Sequence, residues 1–121
     1  MANKAVVKGS QIISTSALTN VSGMSFSVGA GNTYAFKYII IYRSNQISSG
    51  LGVSVTFPGM AFFAARALIN SGVDGTDACF EGGIVSSGDR VQALSAQTSV
   101  DNFLATVEGA CKVSTTGTLQ L

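Results

Sequence analysis

Two glutamates are the first side chains in this sequence that would be able to do chemistry. Glu81 and Glu108 each lie within an apolar segment, and a pair of carboxylates is the minimum that a glycoside hydrolase needs. Carboxylates are costly to bury alone, so the alternative is structural ion pairing with Lys37, Arg66 or Lys112. The sequence contains no Trp platform and no cleft-building insertion. We therefore predict that the protein is not an enzyme.

The sequence also gives little support for a metal site or a cofactor site. Histidine is absent, which removes the commonest metal ligand and general base, and with it the Ser-His-Asp and Cys-His arrangements. The densest polar cluster, residues 74–77, lacks the further bidentate acid that a calcium loop needs. Residues 29–31 form a Gly-x-Gly that precedes a strand and lacks the third glycine of a dinucleotide site. We expect turns at both places, no catalytic or metal-binding residue and no cofactor.

Cys79 and Cys111 are the two thiols of the chain, and each lies in an apolar-looking segment. We expect both to be buried and reduced, because nothing in the sequence indicates an oxidising compartment. A disulfide is the alternative, since neighbouring strands would be able to bring the two sulfurs together. A reactive thiol is the third interpretation.

The charge pattern argues against nucleic-acid and membrane partners. The seven basic residues, spread from Lys4 to Lys112, form no run, and the net charge is +1. No apolar run approaches the ~20 residues that span a bilayer, and the first residues do not form a signal peptide. We expect a soluble protein made in the cytoplasm.

The composition is unusually poor in charged residues. Charged residues make up 11% of the 121 residues and apolar residues 46%, whereas a soluble domain carries roughly 25% charged residues. Either small polar side chains form the surface or other chains cover much of it. The length fits one domain, residues 1–121, with its own core.

A period of two in hydrophobicity predicts β-strands. The clearest example is residues 33–43, where Tyr34, Tyr38 and Tyr42 share one face with Phe36 and Ile40. In residues 51–57 the apolar side chains are expected to point inward and the small polar ones outward. Further strands are predicted at 5–14, 24–28, 62–69, 78–85, 91–95, 103–113 and 118–121, separated by turns at 29–32, 44–50, 70–75 and 86–89. This pattern is typical of a sandwich or jelly roll.

Two apolar features allow two interpretations each. The tyrosine stripe is expected to belong to the core with its phenol oxygens at the rim, and a surface for glycans or bases is the alternative. Residues 57–65 contain three phenylalanines around Pro58-Gly59. An exposed apolar patch there would mark contact with another chain, so we predict Met60, Phe62 and Phe63 as interface residues, with burial as the alternative. Met60, Phe63, Ala64, Ala67 and Leu68 also fit a helical stripe.

Two stretches of the chain resemble small virion structural proteins of tailed bacteriophages. Residues 18–28 (LTNVSGMSFSV) and 31–43 (GNTYAFKYIIIYR) match a T-x-V-x-G-h-S-F-x-V strand and turn followed by T-Y-x-F-x-h-x-h-x-Y, where h is apolar. Residues 104–109 and 114–121 resemble the end of the same proteins. The matching segments cover about a third of the chain, and the resemblance implies a β-sandwich module of the head surface, the tail or its fibres, without catalytic residues.

The combined expectation is an all-β, antiparallel sandwich of jelly-roll type that serves as a capsid decoration (cement) protein. We expect a homotrimer that clamps subunits of the major capsid protein on the head surface, because a clip that buries apolar surface across a seam raises the work of separating the shell. Residues 1–8, which include the interface candidates Val6 and Val7, would form an arm that adds a strand to a neighbour. The alternative is a tail or fibre component that binds glycans.

Overall fold

The chain folds into antiparallel β-strands arranged in two layers. The computed structural model describes residues 11, 17–43, 50–73, 76–93 and 102–121, and for 71–73 and 76–78 the backbone alone. Eight strands lie in these ranges: β1 (Ser25–Val28), β2 (Thr33–Tyr42), β3 (Gly52–Ser54), β4 (Met60–Val73), β5 (Thr76–Ile84), β6 (Arg90–Gln92), β7 (Phe103–Val113) and β8 (Gly117–Gln120). No helix within these ranges is long and apolar enough to cross a membrane.

The strands form four nested antiparallel pairs. β1 pairs with β8, β2 with β7, β3 with β6 and β4 with β5. A further contact between β4 and β7 gives one sheet the order β2-β7-β4-β5. The pairs β1-β8 and β3-β6 are joined into a second layer by a bridge between Thr56 and Gln120, whose N–H groups each donate to the other's carbonyl at 2.9 Å. Nested pairs divided between two sheets make a jelly roll, as predicted.

The core lies between the two layers. Its fully buried side chains come from both sheets and include Ile69, Val107, Leu119 and Val55. On β2 the predicted alternation is confirmed, because Tyr38 is buried while Ala35, Lys37, Ile39 and Ile41 are exposed. The core also contains Val28, Val53, Ala67, Ile84, Val91, Ala93, Ala105, Cys111, Val113 and Leu121.

Strand β4 is longer than its sequence predicts and is not a helix. It runs through Val73, so that Asn70 to Val73, predicted as a turn, pair with β5 instead. The helical stripe fails because its members point to both sides, with Ala67 fully buried and Ala64 exposed. Hydrogen bonding to β7 on one side and β5 on the other holds the segment extended.

The turns at 29–32 and 86–89 are confirmed. Gly31 and Gly88 have φ of 84° and 90°, which glycine adopts without strain. The Asp89 carboxylate accepts hydrogen bonds from the N–H groups of Val85 and Ser86, at 3.1 and 2.8 Å, and closes the second turn. One polar residue departs from the prediction, because Ser54 is buried between Val53 and Val55 and not turned outward.

Candidate interaction surface

The outer face of the four-stranded sheet is the surface whose chemistry stands out. Six large apolar side chains are exposed among the described residues. Four of them lie on this face. A fifth, Val85, directly follows β5 and continues the alternation of its outward-facing residues. Their exposed fractions are 58% for Ile39, 73% for Ile41, 43% for Leu104, 50% for Phe62 and 69% for Val85. Contiguous apolar patches on a sheet face mark contact sites.

The pairing register places these side chains in rows across the strands. Ile41 lies opposite Leu104, and the next row contains Ile39, Thr106 and Leu68. At the other end of the face a row of alanines, Ala35, Ala110 and Ala64, precedes Phe62 opposite Lys112. The face is therefore apolar at the Ile41 end, nearly flat at the alanine row, and mixed at the other end, where Phe62 lies beside Lys112.

A band of charge crosses the middle of the outer face. Arg66 donates through Nη2 and Nε to Glu108 Oε1 at 2.8 and 3.1 Å, and its Nη1 lies 3.8 Å from Glu81 Oε1. Lys37 stands opposite Glu108 on the neighbouring strand. The hydrogen bond to Glu108 raises the pKa of the Arg66 guanidinium. The predicted ion pairing of both glutamates is thus confirmed. Their partner is Arg66, and both ion pairs lie on the outer face and not in the core.

The three interface candidates around Pro58 are placed differently from one another. Phe62 is half exposed on the outer face. Phe63 points the other way and stacks on Phe57, with 3.8 Å between ring centroids, and on Phe36 at 5.7 Å. Met60 is partly buried against the core. Val6 and Val7 lie outside the described residues.

The tyrosine stripe packs against the core, as predicted. Tyr34 OH accepts a hydrogen bond from the Gly29 N–H at 3.0 Å, and Tyr42 OH donates to the Asn70 carbonyl. The Tyr38 hydroxyl does not reach the rim, since it is buried without a hydrogen-bond partner. Loss of hydration at this position raises the pKa of Tyr38 to about 12.

Tyr38→Phe is expected to leave stability unchanged or to raise the free energy of unfolding by about 1 kcal/mol, because it removes a buried hydroxyl that gains no hydrogen bond. The raised pKa also means that the folded chain holds this proton more tightly than the unfolded chain. Wild-type stability should therefore fall between pH 10 and 12, by up to about 2 kcal/mol. Urea unfolding at pH 8, 10 and 11 measures both effects.

Tyr34→Phe is the matched control for this change. Its hydroxyl accepts a backbone hydrogen bond, so its loss should lower stability by about 1 kcal/mol. A Tyr38 variant that is destabilised as much, or that keeps the full wild-type pH dependence, would contradict the prediction.

The two cysteines lie on opposite faces of the sheet. Cys111 is buried and burial raises its pKa, whereas Cys79 is exposed. The expected burial is therefore right for Cys111 and wrong for Cys79, because β5 turns residue 79 to the outer face. Their partners on β4 are Phe63 and Asn70, seven residues or about 24 Å apart along the strand. Both thiols are free, and this separation excludes the disulfide between them.

The structure describes only part of the candidate loop at residues 74–77. Residues 74 and 75 lie outside the described residues, and residues 76 and 77 begin β5. Within the described part of the chain, no group of three His, Cys, Asp or Glu side chains is placed to hold a metal ion.

No family model, characterised protein or solved structure matches the chain. The resemblance to phage virion proteins therefore rests on the sequence segments quoted above. The outer face of the four-stranded sheet is the feature from which a function has to be argued.

Proposed function

We propose that the protein is a structural component of a bacteriophage virion, a decoration protein of the head that acts as an oligomer and clamps subunits of the major capsid protein. The observation that carries the proposal is the outer face of the four-stranded sheet, where five large apolar side chains are exposed. A sheet face of this kind is stable in water when another chain covers it.

The other features of the chain agree with permanent assembly. The seven basic and six acidic residues leave a net charge of +1, so charge repulsion does not oppose close packing of many copies. Obligate interfaces are more apolar than transient ones and resemble a domain core that has been cut in half. Apolar burial between this protein and its neighbours would stabilise a shell by mass action, since only the assembled state gains it.

The tail or fibre alternative has less support. This alternative needs a glycan site, for which the tyrosine stripe and residues 74–77 are the candidates. The stripe packs inward against the core, and the loop is only partly described.

Phe62→Asp is expected to reduce retention of the protein on phage heads by at least about tenfold, because it places a charge in an apolar contact. Phe62 is half exposed in the isolated chain, so the substitution should leave the fold intact. Purified heads that lack the protein are mixed with each variant and sedimented, and the bound fraction is measured.

Thr56→Asp is the matched control, since Thr56 is exposed and lies in the other layer. It introduces the same charge into β-structure away from the outer face. Equal loss of binding in both variants would contradict the assignment of Phe62 as a contact residue. Absence of the wild-type protein from imaged heads, together with its presence on tails, would overturn the decoration role.

A further inference from the structure

Four charges in the middle of the outer face follow an order that is complementary to itself. From β2 to β7, β4 and β5 the band contains Lys37, Glu108, Arg66 and Glu81, so the signs alternate from positive to negative across the sheet. Lys37, Glu108 and Arg66 share one row, and Glu81 lies one row away, within reach of Arg66. When the same four charges are taken in the reverse order, from β5 to β2, each position has the opposite charge.

From this order we infer that two copies of the chain pair through the outer faces of their four-stranded sheets, about a two-fold axis parallel to the strands and between β7 and β4. This inference names the chain that covers the apolar face, and in that sense it rests on the proposed function. The axis places Glu108 of each copy against Arg66 of the other, and brings Lys37 near the other copy's Glu81. Aligned stacking of this kind is one of the two ways in which sheets pack face to face.

The competing two-fold arrangement is disfavoured by the same charges. An axis that runs across the strands through the charged row would place Lys37, Glu108 and Arg66 each against its own counterpart. Like charges brought together at an interface are strongly unfavourable. The charged band therefore selects one orientation, and it fixes the register of the apolar rows on either side.

The small side chains fit that orientation, whereas Ile39, Leu104 and Phe62 fall against the second copy's Glu81, Asn70 and Lys112. Ala110 comes to lie against the second copy's Ala64, and Ala35 against its Val85, so that small side chains let the sheets approach closely. Ile41 falls against the second copy's Cys79, which is exposed in the single chain. The four strands make a face about 19 Å wide and about 27 Å long. Pairing buries about 1,000 Å² in total, the lower limit for a specific interface.

The symmetry differs from the trimer that the sequence alone led us to expect. A three-fold ring joins two different surfaces of each chain, whereas a two-fold pair joins one surface to itself. The outer face has the self-complementary order that the second case requires. A dissociation constant in the micromolar range is expected, because an interface at the lower limit of size leaves little free energy after the cost of association.

Charge reversal tests the pairing directly. Glu108→Lys and Arg66→Glu each place like charges together twice in a pair of identical copies, and each should weaken pairing by about tenfold or more. A mixture of the two variants restores opposite charges at both contacts, so it should form mixed pairs of near wild-type affinity. A purely structural role of the Arg66–Glu108 pair inside one chain would not give this rescue.

The measurement is molar mass by light scattering and sedimentation at micromolar concentration, with head binding followed in parallel. Twice the 12.3 kDa of one chain and rescue in the mixture are the expected results. A monomer, a trimer or a mixture no better than its components overturns the pairing. If a monomeric wild type loses head binding on Ile41→Asp, the face contacts the capsid protein, so the decoration role stands and the oligomeric state proposed with it does not. A pair that binds no heads leaves the pairing intact and overturns the proposed function.

Discussion

Ile69→Ala is expected to lower the free energy of unfolding by about 2–5 kcal/mol, because it leaves a cavity between the two layers. Ile69 is fully buried on β4, the strand that contacts both β7 and β5. The surrounding backbone is fixed by hydrogen bonds on both sides and has little freedom to close the gap. Urea unfolding followed by circular dichroism measures the loss as a lower midpoint at unchanged slope.

Ile41→Ala is the control, since it makes the same chemical change in the same sheet. Ile41 is 73% exposed, so in the monomer its loss should stay within about 0.5 kcal/mol, apart from a small difference in strand propensity. If outer faces pair, the Ile41 effect grows with protein concentration, because pairing stabilises the folded chain by mass action. The stability loss on Ile69→Ala should not depend on protein concentration. Equal losses at low concentration would mean that the two faces of the sheet have been assigned wrongly.

The strands and their faces could be predicted because alternation is a local property. The prediction for residues 103–113 coincides with β7 (Phe103–Val113), and that for 33–43 ends one residue beyond β2. In β2 aromatic residues recur at every second position from Tyr34 to Tyr38, so the inward face of this strand could be predicted from the sequence. The predicted strand ends were wrong where polar residues continue a strand, as at Asn70 in β4.

The outer face was not predicted, although its signal is present. On β2 the residues opposite the tyrosine stripe include Ile39 and Ile41, so this strand is apolar on both faces at one end. A strand that is apolar on both faces is typical of a sheet covered on both sides. The contact residues predicted were Met60, Phe62 and Phe63, and of these three Phe62 is the one exposed on the outer face. Adjacent phenylalanines were given equal weight, although in a strand they point to opposite faces.

The burial of Ser54 depended on long-range pairing, whereas the exposure of Cys79 did not. Ser54 is buried because both faces of its short strand are covered, and its partner Arg90 lies far away in the sequence, so local alternation could not decide its position. Cys79 lies on the same face of β5 as the exposed Glu81, so alternation around Glu81 is a local signal that places its side chain outside.

Gly109→Ala is expected to destabilise the fold by about 3 kcal/mol, because the new methyl group has no space in the central strand. A Cβ at this position would press on the Ala64 carbonyl oxygen and lie 2.6 Å from Ala65 Cβ and 2.8 Å from Ala65 Cα. Two of these atoms are backbone, and β7 is held between β2 and β4, so relief requires moving a whole strand.

Gly83→Ala provides the control, because it adds the same methyl group to β5, where the nearest atom is the Ala65 carbonyl oxygen at 3.9 Å. This substitution should be neutral or stabilise by up to about 1 kcal/mol, since alanine loses less backbone entropy on folding than glycine. Adding Ala65→Gly to the Gly109 variant removes one close contact and leaves the two backbone contacts, so it should recover only part of the loss. A Gly109 variant as stable as the Gly83 variant would mean that β4 and β7 are farther apart than the register implies, and the rows on which the paired outer faces depend would have to be redrawn.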